Sequence, residues 1–315
     1  MGNESFLSVE GLSKHYEGTP VVDNISFSVY KGEVFGLLGP NGAGKTTTIK
    51  MLCGLLKADN GNIVFDGIPI SSNYYRVKSM IGLCPQEIII WEQLTCFEQL
   101  KFIGMSYGLS WKDAGKKAEE LLETLGLAGK RNKLAVTLSG GMQRRLNIAL
   151  ALVHDPKLII LDEPQAGLDP QSRILVRDFI RQLAKQKTVI LTTHDMDEAD
   201  RLSDRVAIID HGRILTIDTP ERLKERSGLG DIIQIRIGER DKSEVDVLLD
   251  AIPPVFTEKK YSDGLLLLGA RDVIELIPIA SRTLEVLNIN IEDMNIRKRT
   301  LEDAFISMTG RGLRE

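Results

Sequence analysis

The sequence predicts an α/β fold: a buried, mainly parallel sheet core wrapped by helices, followed by a smaller α+β unit. Three observations carry that prediction. Short apolar runs at Val34 to Leu38, Leu158 to Leu161, Val189 to Leu191 and Val206 to Ile209 have strand length and alternate with stretches of helical period, the pattern of strands covered on both faces. A chain of 315 residues, 43% hydrophobic and 27% charged, has ordinary globular composition and length enough for two units. Beyond Asp218 the pattern changes: Thr219 to Arg226 reads as a short helix and Ser227-Gly228-Leu229-Gly230 as a break. That places a linker at 226–231, between a first domain over 1–225 and a second over 232–315.

Composition removes several roles. Lys+Arg number 40 against 44 Asp+Glu, a formal net charge of -4, so no overall field draws phosphate backbones and no nucleic-acid partner is expected. No stretch reaches the roughly 18 to 20 apolar residues of a membrane helix. The start, Met1 to Phe6, has neither the basic and apolar regions of a secretion signal nor the Ser or Thr of a myristoylation pattern; the chain is expected to be cytoplasmic. Cys53, Cys84 and Cys96 lack metal or redox spacing and are expected to be reduced, partly buried thiols.

Along the chain, the strand Val34 to Leu38 runs into Gly39-Pro40-Asn41-Gly42-Ala43-Gly44-Lys45-Thr46-Thr47. Two glycines with four residues between them, then Lys and Thr, form a phosphate-binding loop, and Ile49, Leu52, Leu55 and Leu56 continue it as a helix. Backbone N–H groups then open at a helix N-terminus, Lys45 reaches the terminal phosphates and the Thr46 hydroxyl can ligate Mg²⁺. Helical periods follow around Phe97 to Tyr107 and Ala114 to Leu125. The run Leu158 to Leu161 ends in Asp162 and Glu163, which point to opposite sides of the strand: Asp162 suits Mg²⁺, and Glu163 suits polarising an attacking water. His194 follows the strand ending at Thr193 and precedes a capping-box-like helix start at Asp195, a strand's carboxyl end where doubly wound sheets place ligands. His15, His154 and His211 are assigned no chemistry. In the second domain, strands at Ile232 to Ile237, Leu265 to Leu268 and Leu287 to Ile296, with helices at Glu244 to Ile252 and Val273 to Val286, suggest a ferredoxin-like α+β unit.

Leu138-Ser139-Gly140-Gly141-Met142-Gln143 resembles the signature sequence of ATP-binding cassette (ABC) ATPases. Together with the loop at Gly39 to Thr47 and with Leu161-Asp162-Glu163-Pro164, in that order, the resemblance spans roughly Leu7 to Leu223. It implies a P-loop ATPase cassette with a helical subdomain at about 87–155, and the transporter-coupled hydrolysis of ATP with Mg²⁺. It also implies site residues: Tyr16 stacks on adenine, Gln86 is the Q-loop glutamine and joins Thr46 and Asp162 at the metal, Asp169 is the D-loop aspartate, and His194 is the switch histidine. Glu163, His194 and Lys45 are then the catalytic set. Ser139, a good N-cap before the apolar face Met142, Leu146, Ala149, Leu150 and Val153, would with Gly140, Gly141 and Gln143 meet the nucleotide held by a second copy of the chain.

Gln165 departs from the Thr or Ser usual between Glu163-Pro164 and the D-loop; the expectation is a tuning effect that leaves the hydrolytic set intact. The resemblance further implies a homodimer, integral membrane subunits as partners, and a place on the cytoplasmic face of the membrane; an exposed set including Trp91, Phe97 and Phe102 would suit the contact, although helical core is the commoner role for such residues. The end of the chain, Thr300 to Arg311, is similar to exporter-type subunits of drug, lipid or polysaccharide efflux. The alternative is a soluble ABC ATPase of translation, DNA repair or iron–sulfur assembly; the single motif set and the absence of a long coiled coil before the signature count against it.

Overall fold

The computed structural model describes residues 4–226 and 230–309. The first three residues, the break at Ser227-Gly228-Leu229 and the end beyond Thr309 lie outside the described residues. The chain divides after Thr219, so the helix Pro220–Arg226, which the sequence reading places at the end of the first domain with its last residue in the linker, groups with the second unit.

In the first unit the chain opens with a bulged antiparallel pair, β1 (Ser5–Tyr16) and β2 (Thr19–Tyr30), then β3 (Val34–Leu38) and α1 (Lys45–Leu52). β4 (Asn60–Phe65) and β5 (Ile68–Pro69) complete an antiparallel sheet of order β2-β1-β4-β5. The sequence reading marks no strand in these four: polar residues and register shifts break their alternation, so no apolar run announces them. After α2 (Tyr74–Ser79) and β6 (Ile81–Cys84) come three helices, α3 (Cys96–Ser106), α4 (Trp111–Thr124) and α5 (Gly140–Leu152). β7 (Leu158–Asp162), α6 (Pro170–Ala184), β8 (Thr188–Thr193), α7 (Met196–Leu202), β9 (Arg205–Asp210) and β10 (Arg213–Asp218) finish the unit.

The second sheet runs β10-β9-β3-β8-β7-β6, parallel from β9 to β6 and antiparallel at its β10 edge. Its inner strands β3, β7, β8 and β9 are buried on both faces, which is why they read as apolar runs, whereas the edge strand β10 is partly exposed. Along β7 the alternation is explicit: Leu158 and Ile160 pack with α1 and the antiparallel sheet, while Ile159 and Leu161 pack with α5 and α6. This layering turns the carboxyl ends of β3, β8, β7 and β6 to one edge. Among the described residues no helix is long and apolar enough to cross a membrane.

The second unit holds α8 (Pro220–Arg226), β11 (Asp231–Arg236), α9 (Lys242–Ala251), β12 (Glu258–Ser262), β13 (Leu265–Ala270), α10 (Val273–Val286), β14 (Asp293–Arg297) and α11 (Leu301–Thr309). Strand order β12-β13-β11-β14, antiparallel throughout, with the β-α-β-β-α-β succession from β11 to β14, is the ferredoxin-like arrangement. The edge strand β12, Glu-Lys-Lys-Tyr-Ser, has no apolar run, so sequence periodicity passes over it. Ile233, Ile235, Leu266, Leu268, Ala280 and Leu284 anchor a core of this unit's own residues.

Candidate functional site

The phosphate loop leaves β3 at Gly39, whose amide donates to the Thr193 carbonyl of neighbouring β8 at 3.4 Å. Glycine is required here for closeness: a Cβ on Gly39 would collide with the Ile209 carbonyl. At Gly44 the backbone is left-handed, φ 101°, and a Cβ would lie 2.6 Å from the Val21 carbonyl. With these two constraints met, Pro40, Asn41, Gly42, Ala43, Gly44, Lys45, Thr46 and Thr47 line one cavity of about 350 Å³ together with Val21, Gln86 and Glu163. The first-turn N–H groups of α1 open beside it, where a helix start favours anions.

Lys45 places its ammonium on the Gly39 and Pro40 carbonyls, at 2.6 and 3.1 Å, and 3.7 Å from Glu163 Oε1. Burial pushes its pKa down from 10.5, against the pull of Glu163 and Asp162. A buried cation held by carbonyls and one carboxylate has a ready use for a phosphate.

Asp162 and Glu163 diverge as adjacent strand residues do. Asp162 accepts from Thr46 Oγ1 at 3.1 Å through one oxygen and from the Thr192 hydroxyl through the other. Glu163 turns off the strand in a left-handed backbone conformation, φ 48°. Its amide donates to both the Thr192 carbonyl and Thr192 Oγ1 at 3.1 Å. Its carboxylate lies between Lys45 and His194, with Oε2 2.7 Å from His194 Nδ1. The His194 side chain is half-exposed, facing outward from a buried Glu163.

The other predicted residues lie outside this cavity lining. Tyr16 is 48% exposed at the end of β1. Ser139 caps α5, accepting from the Met142 amide, and Gln143 donates to the Ala135 carbonyl at 3.3 Å. Gly140 is exposed, and Gly141 is buried against Ser172, so closely that a Cβ would collide with that hydroxyl. Asp169 caps α6 through the Ser172 amide, and hydrogen bonding first to the Ser172 side chain and then to that amide holds its carboxyl below the usual range. Trp91 and Phe102 are exposed and meet edge-on, whereas Phe97 is partly buried under Arg131.

Sequence reasoning missed Thr192, which orients both carboxylate residues, and Arg144, buried in α5 with its guanidinium on backbone carbonyls around the site. A threonine inside an apolar strand and a basic residue on a helix each read as ordinary, so only the fold exposes them.

Comparisons with known proteins agree with the geometry. Residues 22–166 match the family model described as ABC transporter. The chain is 39% identical to the linearmycin resistance ATP-binding protein LnrL of Bacillus subtilis (strain 168), over 98% of this chain and 100% of that one. It is 37% identical to the Nod factor export ATP-binding protein I of Ralstonia nicotianae, over 100% of this chain and 97% of that one. A solved ATP-binding subunit of an ABC transporter superposes with a TM-score of 0.65 at 30% identity, over 71% of this chain and 94% of that chain. Relatives of this kind set aside the alternative of a soluble cassette in translation, DNA repair or iron–sulfur assembly.

Proposed function

The chain belongs to the ATP-binding subunits of ABC transporters and is an ATPase coupled to transport; on that premise we propose that it powers an exporter, as a head-to-tail dimer with a second copy of itself, docked on separate membrane subunits at the cytoplasmic face of the membrane. The observation that carries the catalytic part is the Glu163 carboxylate, held at 2.7 Å by His194 and 3.7 Å by Lys45 beside the phosphate loop. There it accepts a proton from, or orients, the water that attacks the γ-phosphate, while Lys45 and the loop amides hold the phosphates and His194 senses the terminal one.

The donor set suits Mg²⁺. The Thr46 hydroxyl and Asp162 carboxylate are hard oxygen ligands already 3.1 Å apart, and Gln86 lines the same cavity, leaving phosphate and water oxygens to complete the shell. The bound ion would offset charge on the phosphates. Thr192 holds Asp162 in the orientation that presents its carboxylate to that position.

For the dimer, support comes from the second helix start. Ser139, Gly140 and Gly141 open α5 outside the cavity that Lys45 lines, so each copy lays this anion-seeking end on the nucleotide of the other, with Asp169 beside it. Tyr16, exposed, stacks on the adenine. For the membrane partner, an apolar groove lined by Leu55, Ile89, Trp91, Ile103 and Tyr107 suits an inserted helix end. The relatives named for drug resistance and Nod factor export favour the outward direction.

Glu163→Gln tests the assignment. It should bind ATP, accumulate as a dimer by light scattering, and turn over about 10² to 10⁴-fold more slowly; near-native turnover refutes the role of Glu163. Capturing partners of this variant with ATP and Mg²⁺ from detergent-solubilised membranes should recover integral membrane subunits, and recovery of soluble assemblies alone overturns the transporter placement.

A further inference from the structure

Arg144 is among the largest fully buried side chains of the chain, 2% exposed, and among the described residues it makes no ion pair. All five of its N–H donors go to backbone carbonyls. Nε donates to Pro164 at 3.0 Å. Nη1 donates to Pro85 at 2.7 Å and Gln86 at 2.9 Å. Nη2 donates to Asp162 at 2.8 Å and Glu163 at 2.5 Å. One guanidinium therefore joins three separate stretches: the loop after β6, the acidic end of β7 and the helix α5.

Its neighbours on the same helix extend the junction. One turn later Asn147 Nδ2 donates to the Glu87 carbonyl at 3.3 Å, and Asn147 Oδ1 accepts from the Ile89 amide at 3.3 Å. One turn earlier Gly141 abuts Ser172, the residue whose amide Asp169 caps. Residues 141, 144 and 147 lie three apart on one helix face. That face meets, in order, the start of α6, the carboxylate strand end and the Gln86 loop.

We propose that Arg144 is a positioning residue that makes the Gln86 loop, the Glu163 backbone and the signature helix move as one body. A fork of fixed geometry holding five carbonyls transmits displacement rather than absorbing it, because shifting any one stretch breaks charge-assisted hydrogen bonds in a water-excluded site. When Gln86 moves toward the nucleotide, the Glu163 carbonyl and the Ser139 end of α5 are carried with it. Occupancy of the chain's own site thereby aligns both its base and the helix start it offers to the second copy. This inference rests on the roles given above to Gln86 and Glu163.

The test is Arg144→Lys in the full chain, with Arg144→Met beside it. A lysine keeps the charge, but its single nitrogen cannot span five carbonyls. Arg144→Lys should melt close to the unaltered chain and bind a fluorescent ATP analogue within about twofold, because Arg144 touches no residue of the phosphate loop, while kcat falls about 10²-fold, the size expected for a reacting group displaced by about 1 Å. Turnover within about twofold of the unaltered chain, or affinity and turnover falling together with the folded fraction, overturns the proposal. Hydrogen–deuterium exchange on the unaltered chain judges it without any variant. With Mg²⁺ and a slowly hydrolysed ATP analogue, amides at 86–89, 163–166 and 140–145 should gain protection together; protection confined to 39–47 overturns it. Near-native turnover by Glu163→Gln would instead refute the base assignment, and the affinity and exchange readouts would still decide the case of Arg144.

Discussion

Glu163 adopts a backbone conformation, φ 48°, that costs a non-glycine residue on the order of 1–3 kcal/mol. It is held there from both sides: its amide donates to Thr192 twice and its carbonyl accepts from Arg144. Behind the neighbouring loop, Glu198 is buried, with one oxygen accepting from Thr193 Oγ1 at 2.6 Å and the other, among the described residues, without a partner. Burial pushes its carboxyl up to about 7; Asp195 and Glu163 add to the rise, and Thr193 and Arg173 oppose it. Its folded pKa thus lies above the ordinary 4.5 of the unfolded chain. The native form keeps a proton that the unfolded form releases, so this group's stabilisation is complete below 4.5 and is lost as pH rises through about 7. Glu198→Gln should flatten the dependence of Tm on pH across that window; parallel curves for the two chains, followed by circular dichroism, would refute the assignment. Gln165 buries its Nε2 without a partner among the described residues, a local cost that its sequence position alone did not announce. Arg144 was equally illegible, because a basic residue on a helix ordinarily faces water and nothing local marks one that faces carbonyls.

Elements differ in how plainly they were written. β3, β7, β8 and β9 were legible because burial on both faces fills their middles with apolar residues. β1, β2 and β12 were not, because bulges and exposed faces admit polar residues. Helix starts announce themselves through caps. Thr95 and Glu98 form a reciprocal capping box on α3, and Ser139 caps α5. Thr95→Ala and Ser139→Ala should each cost about 1 kcal/mol of stability by urea unfolding. ATP turnover should survive the first and fall with the second, since of these two helices only α5 has the start proposed to meet the nucleotide of a second copy. Equal loss of turnover in both would reduce Ser139 to a cap.

At the scale of the whole molecule, each of the two units carries its own core. A chain ending at Thr219 should therefore fold cooperatively and bind ATP within about threefold of the full chain, because every residue of the phosphate cavity lies before that point. Loss of a cooperative melt would show that the second unit completes the first. The sequence alone determined the α/β class, the phosphate loop and the signature, because each is a run of neighbouring residues whose local chemistry is complete in itself. The tertiary structure alone decided how the candidate residues come together. Lys45, His194, Glu163 and Gln86 meet because β3, β8, β7 and β6 stand in that order in the first unit, and Arg144 joins their supports through carbonyls that no sequence displays. Strand order follows from crossovers and packing between residues far apart in the chain, which no local period encodes.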